Sequence, residues 1–134
     1  MLKRVLTVAA VVLLIGFAIL RTGGGKYVNR YKAVGFVHSN TERSAFMNFH
    51  TFDGTMVFKL KNKAPSGSLH VSGTVEKGSM KVYWDYGSGK EFLLDLKPGP
   101  LWEVDMNDLE EGTVYLIVET DGKCVNGSLN FDLE

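Results

Sequence analysis

The stretch MNFHTFDGTMVFKL, residues 47–60, is the part of the sequence that decides the fold. Apolar and polar residues alternate on both sides of Asp53-Gly54, and Asp-Gly is favoured in two-residue β-turns because both central positions need a positive φ. A hairpin about this turn predicts one apolar face, made of the pairs Thr51–Met56, Phe49–Phe58 and Met47–Leu60. The opposite, mixed face would carry Phe46, His50 and Phe52.

Two further turn signals, Lys77-Gly78 and Asp121-Gly122, predict two more hairpins of the same kind. The expected pairs are Val75–Met80, Gly73–Val82, Val71–Trp84 and Leu69–Tyr86 in the first, and Val118–Val125, Leu116–Gly127 and Val114–Leu129 in the second. Each hairpin has one apolar face, as an antiparallel sheet with one buried side requires.

The remaining strands follow from the same alternation. Residues 33–38 predict one strand, and apolar residues at every second position predict two more, around Leu94 and Val104, separated by Lys97-Pro98-Gly99-Pro100. Sheets with one dry face must stack on each other. The expected fold is therefore all-β, an antiparallel two-sheet sandwich of jelly-roll or immunoglobulin-like size over residues 33–134. A small closed β-barrel is the alternative.

The N-terminus predicts a membrane anchor. The run Val5–Leu20 contains Thr7 as its only polar residue, and it is apolar on every face of a helix. We expect a cytoplasmic tail at 1–4, a transmembrane signal-anchor at 5–21, a linker at 22–32 and an extracytoplasmic domain of a single-pass membrane protein. A secreted form after signal cleavage is the alternative, although cleavage at Gly16-Phe17-Ala18 would split the apolar run.

Charge and cysteine content exclude some classes of protein. The chain has 15 Lys and Arg and 15 Asp and Glu, and this zero net charge argues against nucleic-acid binding. Residues 103–134 carry nine Asp and Glu but one Lys, so the acidic third either pairs with basic strands or forms a patch for a cation or a basic partner. Cys124 is the only cysteine, so no intramolecular disulfide can form.

One segment carries a resemblance. The run Gly67-Ser68-Leu69-His70-Val71 through Lys77-Gly78 to Val82-Tyr83-Trp84, followed by Leu109–Tyr115, resembles small exported or membrane-anchored β-sandwich domains of uncharacterised Gram-positive bacterial proteins. It is similar in layout to jelly-roll carbohydrate-binding modules. The resemblance implies a sandwich fold and gives no binding residues.

No motif specifies a reaction. His38, His50 and His70 fall on three predicted strands, where solvated histidines are commoner than a zinc site. The carboxylates near residues 103–111 indicate a solvated turn more than a glycosidase pair or a calcium loop. Glu119, opposite Cys124 in the predicted register, would raise the pKa of the thiol and disfavour a nucleophile. We therefore expect no catalytic residue, metal or cofactor.

The candidate binding site is the mixed face of the first hairpin, where Phe46, His50 and Phe52 would form a flat platform. Alternatively, the N-terminal strand near Gly35-Phe36-Val37 covers both rings. The expected function is a non-catalytic membrane-tethered module that binds a protein or glycan partner or has a structural role in the envelope. The alternatives are a small accessory subunit of a membrane complex and, third, a secreted enzyme.

The anchor has a direct test. Because Val5–Leu20 is apolar on every face and lacks a good cleavage site, the protein should sediment with membranes and resist carbonate extraction. Immunoblots of membrane and soluble fractions measure this. A soluble form whose sequence starts near Ile19 would contradict it.

Overall fold

The computed structural model describes residues 27–63, 67–87 and 89–134. The predicted tail at 1–4, the anchor at 5–21 and most of the linker at 22–32 lie outside these ranges. Within them, no helix combines the length and the apolar character that a membrane crossing needs. The first strand begins at Arg30, so the folded domain already includes residues 30–32, which the sequence analysis places in the linker.

The domain is all-β, as the alternation predicts. The described residues form nine antiparallel strands: β1 (Arg30–Val34), β2 (Val37–Asn40), β3 (Ser44–Asn62), β4 (Gly67–Lys77), β5 (Met80–Asp85), β6 (Glu91–Leu96), β7 (Trp102–Leu109), β8 (Gly112–Thr120) and β9 (Cys124–Leu133). The strand order is β6-β5-β8-β3-β9-β4-β7, and both β1 and β2 pair with β3. Instead of two separate sheets, there is one nearly closed sheet that is folded into two layers.

The two layers share β3. The first layer consists of β2, the first half of β3, β9, β4 and β7, and the second consists of the second half of β3, β8, β5 and β6. Their inner faces enclose one hydrophobic core. At the far side of the core the layers approach closely, since a Cβ on Gly73 of β4 would lie 3.3 Å from Leu96 Cδ2 of β6.

The predicted hairpin at Asp53-Gly54 is wrong. β3 runs through these residues without a turn, and β9 pairs with its first half while β8 pairs with its second. Gly54 has a φ of +138°, and a Cβ there would lie 2.2 Å from the carbonyl oxygen of Arg30. The glycine is therefore needed for the close approach of β1 rather than for a turn.

The other two predicted hairpins are also wrong. The Lys77-Gly78 turn leads from β4 in the first layer to β5 in the second, and Asp121-Gly122 leads from β8 back to β9. Neither β4 and β5 nor β8 and β9 pair with each other. Both turns arch over the end of the core, so the strands they join face each other across it.

Most of the inward positions are nevertheless those that the alternation predicts. The buried side chains include Leu69, Val71, Val75, Met80, Val82, Trp84, Val114, Leu116, Val118 and Leu129. Val125 and Tyr86 are only partly buried, and Cys124 is buried in place of Val125. The alternation of apolar and polar residues determines which side of a strand faces the core, but it does not determine which strand lies beside it.

At its bend, β3 switches from burying odd-numbered residues to burying even-numbered ones. Met47 and Phe49 are buried before the bend, and Phe52 and Met56 after it. Phe52 is 0% exposed, with its ring centroid 5.1 Å from that of Tyr31 and 5.4 Å from that of Phe36. The residues of β1 and of the β1–β2 connection therefore cover Phe52, as the alternative interpretation of this ring expects.

Two asparagine side chains and one backbone carbonyl protect the free edge of β3 in the second layer. The amide of Asn40 accepts a hydrogen bond from Lys59 N and donates one to Lys59 O, both at 2.9 Å. Asn29 Oδ1 accepts from Val57 N at 2.6 Å, and Glu42 O accepts from Lys61 N at 2.8 Å. These contacts satisfy backbone groups that an edge strand would otherwise expose.

The burial of Phe52 predicts a large difference between two neighbouring positions. Phe52→Ala should lower the free energy of unfolding by about 3–5 kcal/mol, because it leaves a cavity under Tyr31 and Phe36. His50→Ala, at an exposed position, should cost less than about 1 kcal/mol. Urea denaturation measures both values, and similar small losses would contradict the packing of Phe52.

Candidate functional site

The outer side of the first layer is a continuous polar surface. Successive side chains of a strand point to opposite sides of the sheet. In these four strands, every second side chain packs into the core, and the hydrogen-bonding side chains between them point outward. We define the polar face as Phe46, Asn48 and His50 of β3, Asn126, Ser128, Asn130 and Asp132 of β9, His70, Ser72, Thr74 and Glu76 of β4, and Glu103 and Asp105 of β7. Lysine and arginine occupy none of these positions.

The centre of the polar face combines an aromatic ring with amides. Phe46 lies opposite Asn130 in the register, and Asn48 lies opposite Ser128. Directly opposed side chains are about 5 Å apart at their Cβ atoms. Asn48 and Asn130 are exposed, and their side chains make no hydrogen bond to any residue in the described ranges. Two amides are therefore available to a ligand beside Phe46.

One margin of the polar face is held by a chain of hydrogen bonds across three strands. His50 Nδ1 lies 2.9 Å from Asn126 Oδ1, and Asn126 Nδ2 donates to Glu76 Oε1 at 2.5 Å. Asn126 has a φ of +51°, a conformation that asparagine tolerates better than most residues. This chain fixes the side chains on that margin.

The other margin is acidic and surrounds His70. Its Nδ1 lies 2.5 Å from Asp105 Oδ1, and its Nε2 lies 3.8 Å from Glu103 Oε2. Asp132 is directly opposite His70 on β9. The hydrogen bond to Asp105 is the largest effect and raises the pKa of His70 above its ordinary value. Burial, the next largest effect, opposes it, and the charges of Asp105, Glu103 and Asp132 raise the pKa further.

The structure brings together two of the three predicted site residues. Phe46 and His50 lie on the polar face, but Phe52 points into the core, so the three side chains do not line one platform. The physical reason is that β3 buries odd-numbered residues before its bend and even-numbered residues after it. Whether Phe46 and His50 bind a ligand stays a prediction.

The residues that the sequence analysis missed are those of the neighbouring strand. Asn126, Ser128 and Asn130 alternate with apolar residues and could have been recognised as an outward row. The incorrect hairpin placed the second half of β3 next to Phe46, where the structure has β9.

The other reactive groups lie apart from this face. His38 stacks on Phe36 with 4.8 Å between ring centroids, and burial lowers its pKa. Among the described residues, no three His, Cys, Asp or Glu side chains are arranged to hold a metal ion. The predicted pairing of Cys124 with Glu119 is wrong, since Cys124 lies opposite Phe52. Burial, and then the charge of Asp53, raise the pKa of the Cys124 thiol to about 11, and its Sγ donates to Ser79 O at 3.3 Å.

No protein-family model and no curated protein matches the chain. Among solved structures, it is similar in fold to the carbohydrate-binding module TmCBM61 in complex with beta-1,4-galactotriose, at 11% identity and a TM-score of 0.49 over 79% of this chain and 87% of that one. It is also similar to PliG of Aeromonas hydrophila, a periplasmic inhibitor of g-type lysozyme, at 18% identity and a TM-score of 0.45 over 69% and 88%.

A third similar structure is the pre-peptidase C-terminal domain of a collagenase from Bacillus anthracis, at 16% identity and a TM-score of 0.44 over 80% of this chain and 90% of that one. These proteins are carbohydrate-binding modules and other β-sandwich domains, and the likeness concerns the fold. Export and a Gram-positive bacterial origin stay predictions of the sequence.

The histidines provide a test of the polar face by pH. The NMR titration of His70 should have its midpoint above the ordinary 6.5, and that of His38 below it. Because the folded state holds the proton on His70 more tightly, the stabilisation from this group is complete below pH 6.5 and is lost as the pH rises through the raised pKa. Asp105→Asn should return the midpoint of His70 towards 6.5 and leave His38 unchanged. Equal midpoints in the unaltered protein would contradict this geometry.

Proposed function

We propose that this protein is a non-catalytic glycan-binding module, held at a membrane by residues 5–21, and that its binding site is the polar face around Phe46. The observation that carries the proposal is a pair of exposed amides next to Phe46: Asn130 lies opposite it on β9, and Asn48 lies two residues further along β3. Neither amide is used within the described part of the chain.

The chemistry of a sugar fits this arrangement. Each sugar hydroxyl can both donate and accept a hydrogen bond, and an asparagine amide offers two donors and an accepting oxygen on one planar group. The apolar side of a sugar ring can lie on an aromatic ring, which Phe46 supplies. The four strands that carry the polar face are about 4.8 Å apart, so the face is about 14 Å wide and can contact several linked sugar units.

The charge of the polar face limits the kind of glycan. Glu76, Glu103, Asp105 and Asp132 lie on it, and neither lysine nor arginine occupies an outward position there. Sulfated sugars and uronic acids would be repelled, because like charges brought together without a compensating partner disfavour binding. We therefore propose neutral or amino-sugar glycans as the ligand class.

The partners of the carboxylates on the polar face favour binding rather than catalysis. A glycosidase needs two carboxyl groups about 5–10 Å apart on either side of a bond, one of them with a raised pKa. Glu103 and Asp105 are exposed at the edge of the sheet and both are engaged by His70. Glu76 is engaged by Asn126. These contacts leave the carboxylates in structural roles.

A protein partner is the second candidate, and one observation favours it. Val34 and Val37 are 61% and 59% exposed, and Val37 lies opposite Asn48 at the margin of the polar face. Exposed apolar side chains beside a polar surface are typical of protein contacts. A glycan would depend on Phe46 and Asn130, whereas a protein would depend on the two valines.

The membrane tether rests on the sequence. The apolar run Val5–Leu20 has the composition of a spanning segment, and Arg4 and Arg21 flank it. A module tethered in this way would keep a glycan at the cell envelope or exterior close to the membrane. A small accessory subunit of a membrane complex remains the alternative for the tethered chain.

The glycan proposal predicts the effect of two substitutions. Phe46→Ala combined with Asn130→Ala should weaken glycan binding at least about tenfold, since it removes a stacking ring and one amide worth about 1 kcal/mol. The melting temperature should change little, because Asn130 is exposed and Phe46 is only partly buried. The measurement is an array of neutral, amino-sugar and acidic oligosaccharides, followed by calorimetry on the retained glycans.

Phe92→Ala is the matched control, because Phe92 is 57% exposed on the second layer, away from the polar face. It should leave glycan binding unchanged. Val34→Ser with Val37→Ser tests the second candidate in the same way. Retention of acidic glycans only, or an equal loss in the Phe92 control, would overturn the proposed site.

A further inference from the structure

The described chain begins on the outer side of the second layer, opposite the polar face. Tyr27 Oη donates to Asp85 Oδ2 at 2.7 Å, and its ring centroid lies 5.6 Å from that of Tyr115. Asp85 is 1% exposed, and its other oxygen accepts from the backbone N of Gly87 and Gly89 at 2.9 and 3.2 Å. A buried carboxylate therefore fixes the point where the N-terminal segment joins the domain.

Basic side chains surround this point. Lys59 lies directly opposite Tyr115, Lys61 follows on the same side of β3, and Arg30 lies opposite Thr55 on that side. Lys59 and Lys61 are exposed and form no ion pair within the described ranges. We call Arg30, Lys59 and Lys61 the basic strip.

The rest of the second layer is neutralised. Lys90 pairs with Glu119 at 2.5 Å, and Lys81 lies 3.7 Å from Asp95. Glu42, which lines the same groove as Lys59 and Lys61, is engaged by Lys63 at 2.7 Å. Uncompensated positive charge on this layer is therefore concentrated along β3, beside Tyr27.

The basic strip borders an open groove of about 620 Å³. The groove is lined by Asn40, Thr41, Glu42, Lys59, Leu60, Lys61 and Thr113. Two ammonium groups and the Thr113 hydroxyl at its wall are donors suited to the oxygens of a phosphate. The Thr41 hydroxyl donates to Ser44 O at 3.2 Å, and the Glu42 carboxylate is paired with Lys63. The groove is shallow, so it suits a headgroup that reaches it from a surface rather than an enclosed ligand.

The length of the joint keeps this side of the domain near the proposed anchor. Six residues, 21–26, separate the end of the apolar run from Tyr27. Six residues span at most about 20 Å when fully extended. Tyr27 must therefore remain within about this distance of the bilayer if residues 5–21 are inserted, and Lys59 lies beside it, opposite Tyr115.

We propose that the basic strip and its groove dock on anionic lipid headgroups, so that the polar face is directed away from the membrane. The inference rests on the proposed tether, because a chain released from the membrane would not be held at the surface. A basic residue close to an anionic bilayer is attracted to it, whereas the acidic polar face is repelled. Charge and attachment thus favour the same orientation.

The experiment uses the full-length chain in vesicles of phosphatidylcholine, with and without phosphatidylglycerol. A membrane-impermeant acylating reagent labels the lysines, and mass spectrometry measures the rate at each one. With phosphatidylglycerol, Lys59 and Lys61 should be labelled about fivefold more slowly, which corresponds to the attraction expected for one basic residue at an anionic surface. Lys77 and Lys123, near the two arching turns, should be labelled at the same rate in both vesicles.

Charge variants complete the test. Lys59→Gln with Lys61→Gln should remove the protection that phosphatidylglycerol gives to Arg30, read with an arginine-selective reagent, whereas Lys77→Gln with Lys123→Gln should keep it. Equal labelling rates in both vesicles, for a chain that floats with them, would overturn the docking alone. Failure to float would overturn the tether and the docking together. Protection that rises with protein concentration in phosphatidylcholine would indicate contact with the polar face of a second copy and would also overturn lipid docking.

Discussion

The continuity of β3 through Gly54 is the constraint on which the other parts of the structure depend. A single strand of 19 residues pairs with β9 along its first half and with β8 along its second, so both layers are hydrogen-bonded to one piece of backbone. Only a glycine allows Arg30 to lie against the bend. The crossing of β1 then covers Phe52 and places Tyr27 on the second layer.

The fold also places positive and negative charges on different surfaces of the domain, although the chain has no net charge. Sequence alone offered two interpretations of the acidic C-terminal third, pairing with basic strands or a patch for a cation or a basic partner, and the second stays a prediction. Glu119 pairs with Lys90, as expected for acids that neutralise basic strands. Glu103 and Asp105 instead gather around His70 on a face without lysine or arginine. The two sides of the domain therefore differ in electrostatic potential, although the composition is balanced.

The sequence predicted the dry side of most strands but not their neighbours. Alternation identified Leu69, Val71, Met80 and Val82 as inward, since a period of two follows directly from the pleat. A two-residue turn with glycine can close a hairpin or arch over a core, and both leave the same residues buried. Pairing is set by contacts between distant segments, such as β4 with β9, that a local pattern does not contain. For the same reason, the alternation placed Phe46 and His50 on the outer side, where the structure has them. It did not place Phe52 in the core or Asn130 beside Phe46.

The hydrogen bonds of Asn29 and Asn40 to the edge of β3 also affect how the domain associates. An extended segment from another molecule cannot add to β3 at Val57 or Lys59 without first displacing these side chains. In the described part of the chain, β7 ends the strand order on the side of the polar face, and the exposed Glu103 and Asp105 lie along it. Acidic side chains along an edge strand disfavour edge-to-edge pairing of two copies. Self-association by sheet extension at this edge, the first step towards fibrils, should therefore be slow.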